Sequence, residues 1–564
     1  MCTDRLRPRT LDLVPDERSS MSALTTKVSD AGVSLRVLRR SGIIRPYSPK
    51  VLAGMLGTLR TWGTTPAGGF KTLALRAPDE VGVVDELGSL TWGELHRRTT
   101  RLARALRDLG VREGDGVAIM CRNHRGFVES SIAVNKLGAD VLYLNTAFAG
   151  PQLADVLERE QPRVVVHDEE FSELLAGADL DHRVLAWVEG DDRAAPRADG
   201  TPTLEGLVAA GSDDELDPPT RTPRTIILTS GTTGTPKGAP RPQGGVPAAV
   251  SLLSRMPLRS GWRCHIAAPL FHTWGFAHYQ LAMLLGTTMV LRRKFDPAAA
   301  LEVVESERCD SIVVIPVMLQ RILALGDDVL DAHPLPTLQV VASSGSALPG
   351  DLALTWMDRF GENLYSTYGS TEIAWASIAD PEDLRAAPSS AGRLPHATVV
   401  RILDEQGRPV PDGEAGRIFV GNDLQIEGYT GGGSKEMVDG LMSSGDVGRF
   451  GPDGRLYVEG RDDEMIVSGG ENVFPREVED CLSRHEAVVE VAAVGVDDDD
   501  YGRRLRAFVV LESGASADED TLKAWVKENL ARYKVPREIV FLDELPRNAT
   551  GKVLKRELKE APEA

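Results

Sequence analysis

A chain of 564 residues is longer than one hydrophobic core serves, so two to four lobes are expected. With 42% apolar and 26% charged residues it reads as globular, neither fibrous nor disordered. The formal charge of −19 argues against nucleic acid as a partner, because phosphate backbones select basic faces; an anionic small ligand held by a local cation stays open.

Residues 1–30 read as a disordered tail, rich at the start in Arg, Pro, Asp and Ser. Residues 31–70 form a basic amphipathic segment. Within 31–62 there are six basic residues (Arg36, Arg39, Arg40, Arg45, Lys50, Arg60) and no acidic one. Leu52, Met55, Leu56 and Leu59 fall at helical spacing. The plainer reading is a helix packed on the main body with a solvated basic side. An interfacial helix making a peripheral membrane contact is the alternative.

From about residue 81 short apolar strands alternate with amphipathic helices: a helix over 95–109, a strand over 116–120, a helix over 126–137, and strands over 141–144 and 164–166. This succession predicts βαβ units and a mostly parallel, helix-covered sheet. Residues 190–222, rich in Asp, Pro, Gly and Ala, read as a surface excursion. The alternation resumes with a strand at 225–228, another at 311–316, a helix to 324 and a strand at 338–342. After about 397 the texture becomes short strands and turns, with Asp412-Gly413 and Asp453-Gly454 as hairpin signals. The last hundred residues carry a separate α/β pattern, with strands at 488–496, 505–511 and 538–542 and a helix at 519–531.

The five cysteines (Cys2, Cys121, Cys264, Cys309, Cys481) are scattered and form no CxxC pair, so neither a zinc ribbon nor a disulfide framework is indicated, and a reducing cytoplasm is the expected compartment. No apolar run approaches about 18 residues, so no integral span is expected; a location peripheral to the inner membrane face stays open through residues 31–62.

Chemistry concentrates in "TSGTTGTPKG", residues 229–238. Hydroxyls, glycine N–H groups and one lysine form an anion grip. It is not a Walker A loop, because Pro236 stands where that loop needs glycine before its lysine. Further stretches follow in order. "YGSTE" (368–372) sets two hydroxyls beside Glu372, and "SGD" (444–446) offers the Asp446 carboxylate. "GRDDEMIVSGGENVFPREVE" (460–479) joins an Arg, an acidic pair and a Gly-Gly turn, and "PRNATGK" (546–552) carries Lys552 after a Thr-Gly turn.

That ordered set resembles the adenylate-forming superfamily, which joins a carboxylic acid to ATP as an acyl-adenylate, and within it a bacterial fatty-acyl-CoA synthetase. The resemblance spans roughly residues 75–560. It implies an α/β fold: a large N-terminal domain of helix-covered sheets with a β-rich subdomain (71–462), then a small mobile α+β C-terminal domain (463–564). ATP, CoA and Mg²⁺ are the implied cofactors, and a medium- to long-chain fatty acid the implied substrate.

The resemblance also assigns roles. Thr229, Ser230, Gly231, Thr232, Thr233, Gly234 and Lys237 would grip the β- and γ-phosphates. Thr371 would contact the α-phosphate and Glu372 would carry Mg²⁺. Gly345 and Tyr368 would flank the adenine, Gly369 would be a further cofactor-binding residue that also suits the acyl chain, and Asp446 and Arg461 would hold the ribose. Lys552 would bridge the substrate carboxylate and α-phosphate, Asp463 would be the hinge, and Gly469 and Gly470 would line the pantetheine tunnel. "PLFHTWGF" (269–276) matches the acyl-pocket motif, with His272 beside the carboxylate. Amino-acid-activating relatives carry an Asp directly after that Phe; here His272 follows Phe271, so the acid is expected to lack an amino group. Trp274, Gly275, Phe276, Ser370, Ile373 and Trp375 are the expected acyl-pocket lining. An aryl or branched acid, or a fatty-acyl-AMP ligase serving a carrier protein, are the alternatives.

Overall fold

The computed structural model describes residues 30–178, 180–229, 237–241, 245–462, 466–468, 471–498, 502–530, 534–548 and 551–560. The helix–strand alternation yields two mostly parallel sheets. One runs His182–Trp187, Val164–Asp168, Gly116–Met120, Asp140–Tyr143, Thr225–Thr229, Lys237–Arg241, parallel until the last, antiparallel strand. The other has eight strands: Ala374–Ala379, Leu364–Ser370, Val340–Ser343, Ser311–Val314, Arg263–Ile266, Thr288–Val290, Val81–Asp85 and Gly88–Thr91. Its six central strands are parallel, and an antiparallel pairing closes each edge. Runs such as Ser311–Val314 and Val340–Ser343 are buried at every residue, as strands covered on both faces must be.

Helices Trp92–Asp108, Arg125–Lys136 and Thr273–Leu285 pack into one core with Val117, Val141 and Ile227 of the first sheet and Val83, Met289 and Val313 of the second. The two sheets therefore share a helical layer. The first of these helices starts at a reciprocal capping box, Thr91 with Glu94, which satisfies two orphan N–H groups.

A five-stranded antiparallel sheet follows, built from Val399–Leu403, Gly416–Gly421, Met437–Val438, Leu441–Phe450 and Leu456–Arg461. Asp453-Gly454 turns between its last two strands, as the sequence predicts. The C-terminal sheet contains Ile466–Ser468, Glu471–Val473, Val488–Asp498, Gly502–Leu511 and Glu538–Phe541, with helices Pro475–Leu482 and Glu519–Asn529 packed on it. The architecture is a large N-terminal α/β domain followed by a smaller C-terminal one, the arrangement that the resemblance implies.

Two expectations need correction. Residues 190–222 are not wholly a surface excursion: helix Leu204–Ala210, capped by Thr203, buries Leu204 and Val208 in the main core, and Leu216 joins them. Its apolar spacing is too short to stand out against the surrounding Pro and Asp. Helix Pro49–Trp62 does pack on the body, but through Thr58 and Trp62, and Leu52, Leu56 and Leu59 face outward.

Candidate active site

The C-terminal edge of the eight-stranded sheet, the β-rich sheet and the Thr225–Thr229/Lys237–Arg241 pair converge on one group of polar side chains. Thr229 pairs with Lys237 across that strand pair, so both ends of the glycine-threonine loop are held in register. Ser230, Gly231, Thr232, Thr233 and Gly234 lie outside the described residues, as do Asp463, Gly469 and Gly470. The Lys237 ammonium stands 5.3 Å from the centroid of the Tyr429 ring. The Thr430 N–H donates to the Gly238 carbonyl at 2.9 Å, tying the loop's second strand to the residue after Tyr429.

Tyr429 in turn donates its hydroxyl to Glu372 Oε1 at 2.9 Å, and Ser370 donates to Glu372 Oε2 at 2.8 Å. Burial alone would raise the Glu372 pKa. The Lys435 charge and the two hydroxyl donors outweigh it and hold the carboxyl below its ordinary range. An ionised carboxylate with spare oxygen lone pairs suits a hard divalent cation such as Mg²⁺. Thr371 is fixed from two sides: its hydroxyl meets Thr273 Oγ1 at 2.9 Å and its carbonyl accepts from the Arg241 guanidinium. Burial lowers the Arg241 pKa to about 10, which leaves it charged at neutral pH.

A second polar group lies beside the first. Tyr368 donates to Asp446 Oδ2 at 2.5 Å, and Arg461 Nη1 donates to Asp446 Oδ1 at 3.3 Å. Asp446 and Arg461 face each other as cross-strand partners. Burial, reinforced by Asp446, keeps the Tyr368 phenol protonated far above its usual range. Lys435 donates to the Ser444 carbonyl at 2.8 Å, and a Cβ on Gly445 would sit 3.2 Å from its Nζ and 3.3 Å from Arg461 Nη1. Two cations thus flank the Ser-Gly-Asp turn.

His272 precedes helix Thr273–Leu285, with its ring 4.5 Å from that of Phe271. Its buried Nε2 has no hydrogen-bond partner among the described residues, and burial lowers its pKa to about 4, so the ring is neutral. Trp274 Nε1 donates to the Ala342 carbonyl at 3.2 Å, and Trp375 Nε1 donates to Ser251 Oγ at 3.0 Å.

The turn carrying Lys552 reaches the large domain. Asn548 Oδ1 accepts from the Lys552 N–H at 2.9 Å, and Gly551, at φ +74°, packs so that a Cβ would lie 3.1 Å from Ile315 Cδ1. Gly345 approaches the same Ile315, a Cβ there falling 3.2 Å from Cγ2. Ile315 therefore joins the Lys552 turn to the Gly345 segment.

Several expected lining residues have other surroundings. Ser370 serves the Glu372 carboxylate. Ile373 is fully buried with Val400, Ile418 and Val420 beneath the β-rich sheet. Phe276 packs on Tyr143 and Tyr279. Gly275 and Gly369 are required by backbone crowding, since a Cβ would collide with the carbonyls of Pro269 and Ala374 respectively. Residues that motif reading missed are Arg241, Thr273, Tyr429 and Lys435; Thr273 lies within the 269–276 motif but was given no role there, the other three lie outside the motifs, and each gains its meaning from a contact distant in sequence.

The AMP-binding enzyme family model matches residues 70–430, and the model of its C-terminal domain matches 477–552. The chain belongs to the AMP-binding enzyme family. Feruloyl-CoA synthase of Amycolatopsis sp is 36% identical over 483 residues, covering 84% of this chain and 94% of the relative. The 2-succinylbenzoate–CoA ligase of Geobacillus kaustophilus (strain HTA426) is 35% identical over 506 residues, covering 88% and 98%. Among solved structures, o-succinylbenzoate CoA synthetase from Bacillus subtilis, in complex with the acyl-adenylate intermediate, superposes with a TM-score of 0.76 at 26% identity, covering 88% of this chain and 98% of that one. As an adenylate-forming CoA ligase, this AMP-binding enzyme uses ATP, Mg²⁺ and CoA.

Proposed function

We propose that the acid activated here is aromatic, and that the expectation of a fatty acid gives way to the aryl alternative. The observation that carries this reading is a pair of buried indoles, one two residues after His272 and the other three residues after Glu372. Trp274 and Trp375 are both buried, and each is held by a hydrogen bond to a different element. Rigid aromatic walls favour a flat ring by stacking, whereas an extended alkyl chain needs an open tunnel. Ferulate and succinylbenzoate, named for two relatives, both carry such a ring.

In this reading the substrate carboxylate attacks the α-phosphorus of ATP; the bond to the β-phosphate oxygen breaks and pyrophosphate leaves. Both reactants are anionic, so charge neutralisation and positioning supply most of the rate. Lys237 and the loop hydroxyls hold the leaving phosphates. Lys552 lies between the carboxylate and the α-phosphate. Glu372 would hold Mg²⁺, which offsets phosphate charge when bound. Asp446, already oriented by Tyr368 and Arg461, accepts from the ribose hydroxyls. Neutral His272 donates or accepts through its unpartnered Nε2 beside the acyl group. The CoA thiol then attacks the acyl carbon and AMP leaves, with the C-terminal domain reoriented about Asp463 and the thiol passing Gly469 and Gly470.

The test is thioester formation, followed by mass detection, across ferulate, benzoate, indoleacetate, octanoate and palmitate. Aromatic acids should exceed the alkyl acids at least about tenfold in kcat/KM, a difference of about 1.4 kcal/mol. Palmitate as the fastest substrate would restore the fatty-acid reading. Acyl-AMP that accumulates unchanged on adding CoA would instead indicate transfer to a carrier protein.

A further inference from the structure

From residue 31 to residue 78 the chain has no acidic side chain, although its net charge is −19. The six basic residues of 31–62 are all exposed. Exposed large apolar residues concentrate in the same stretch: Leu35, Ile44, Leu52, Leu56 and Leu59 are five of the eleven among the described residues. Solvated polar chain would not collect leucines in this way, and a core helix would turn them inward.

Helix Pro49–Trp62 shows which side is committed. Thr58 and Trp62 are buried, the Trp62 ring lies under the Lys71 ammonium at 4.9 Å, and Gly54 abuts Leu75 of helix Pro66–Arg76. The inner side is therefore occupied. Leu52, Leu56 and Leu59 follow one another at i, i+4 and i+7 on the outer side, 48%, 60% and 40% exposed, with Lys50 and Arg60 exposed near the two ends.

We propose that this surface seats the protein on an anionic lipid bilayer, with the leucine stripe at the acyl boundary and the basic residues against lipid phosphates. The charge pattern selects this occupant. In a symmetric pairing with a second copy the leucines could meet their own counterparts, but the basic residues around them would then face like charges. A bilayer supplies both the anionic layer and the apolar layer beneath it.

The full chain is tested by flotation with vesicles of phosphatidylcholine alone and of phosphatidylcholine with 30 mol % phosphatidylglycerol (about a third anionic), the range in which surface charge governs basic segments. The wild-type chain should float only with the anionic vesicles, and less in high salt. Leu52→Ser/Leu56→Ser/Leu59→Ser should abolish flotation. Lys50→Ala/Arg60→Ala should weaken partitioning about 30-fold, from about a fivefold loss per surface charge. Both variants should keep wild-type pyrophosphate release in solution, which separates the surface from the fold. Equal binding to neutral vesicles, no flotation of the wild-type chain, or undiminished flotation of the leucine variant overturns the proposal. So does a wild-type dimer in light scattering that the leucine variant dissolves, since a second copy would then be the occupant.

Discussion

Replacing Gly551 by Ala should slow adenylation while sparing thioester formation. A Cβ at this position would stand 2.5 Å from Val317 Cγ1 and 3.1 Å from Ile315 Cδ1. Val317, short and β-branched on helix Pro316–Leu323, cannot swing its methyl clear as a lysine or methionine would. Two costs arise. The φ of +74° costs an alanine about 1–2 kcal/mol. That cost belongs to the turn itself, which the bonds of Asn548 to Gly551 and Lys552 hold whether or not it is docked. The overlap with Val317 exists only in the docked arrangement and costs about 1–3 kcal/mol. Only the second separates the two half-reactions, so acid-dependent pyrophosphate release should fall about 5- to 150-fold. Thioester formation from supplied acyl-AMP and CoA should stay within about twofold of wild type, a free-energy difference of about 0.4 kcal/mol. Val317→Ala in the same chain removes the methyl that is struck and should recover most of the loss, a coupling measurable as a double-mutant cycle. Equal slowing of both half-reactions, or no recovery with Val317→Ala, would refute the docking argument.

Tyr429→Phe takes one hydroxyl donor from the Glu372 carboxylate. A hydrogen bond to a charged group is worth about 1.5–3 kcal/mol, so kcat/KM for ATP should fall at least about tenfold, with half-activity requiring more Mg²⁺; an unchanged Mg²⁺ dependence would refute the role. Gly369→Ala drives a Cβ into the Ala374 carbonyl, a backbone atom fixed by the Leu364–Ser370/Ala374–Ala379 pairing. Its urea unfolding should show a loss of about 3 kcal/mol or more, and a wild-type midpoint would mean the bulge relaxes freely. His265, His272 and His278 are neutral in the fold because burial lowers each pKa from 6.5 to about 4. Since the unfolded chain protonates first as pH falls, their contribution is complete above pH 6.5 and is lost between 6.5 and 4. Up to three protons taken up on unfolding gives a slope of up to about 4 kcal/mol per pH unit. Urea midpoints that do not move between pH 7 and 5 would contradict this.

The sequence by itself determined the elements whose cause is local or periodic. Gly116–Met120 is an unbroken strand and Asp453-Gly454 is a turn, each legible because neighbouring residues decide it. The dense polar motifs likewise marked Glu372, Asp446 and the loop strands, since hydroxyls and glycines seldom cluster without a ligand. Tertiary structure alone decided what joins them. Tyr429 and Lys435 come to act on the Glu372 carboxylate only when residues 429–446 fold against 368–372, and Ile315 meets Gly551, beside Lys552, only when two domains meet. The leucines of helix Pro49–Trp62 show the same division: periodicity established that they share a side, but whether that side is buried depends on what else packs there. Local sequence encodes backbone preference and spacing, whereas burial and long-range pairing are properties of surfaces that exist only after the chain has folded.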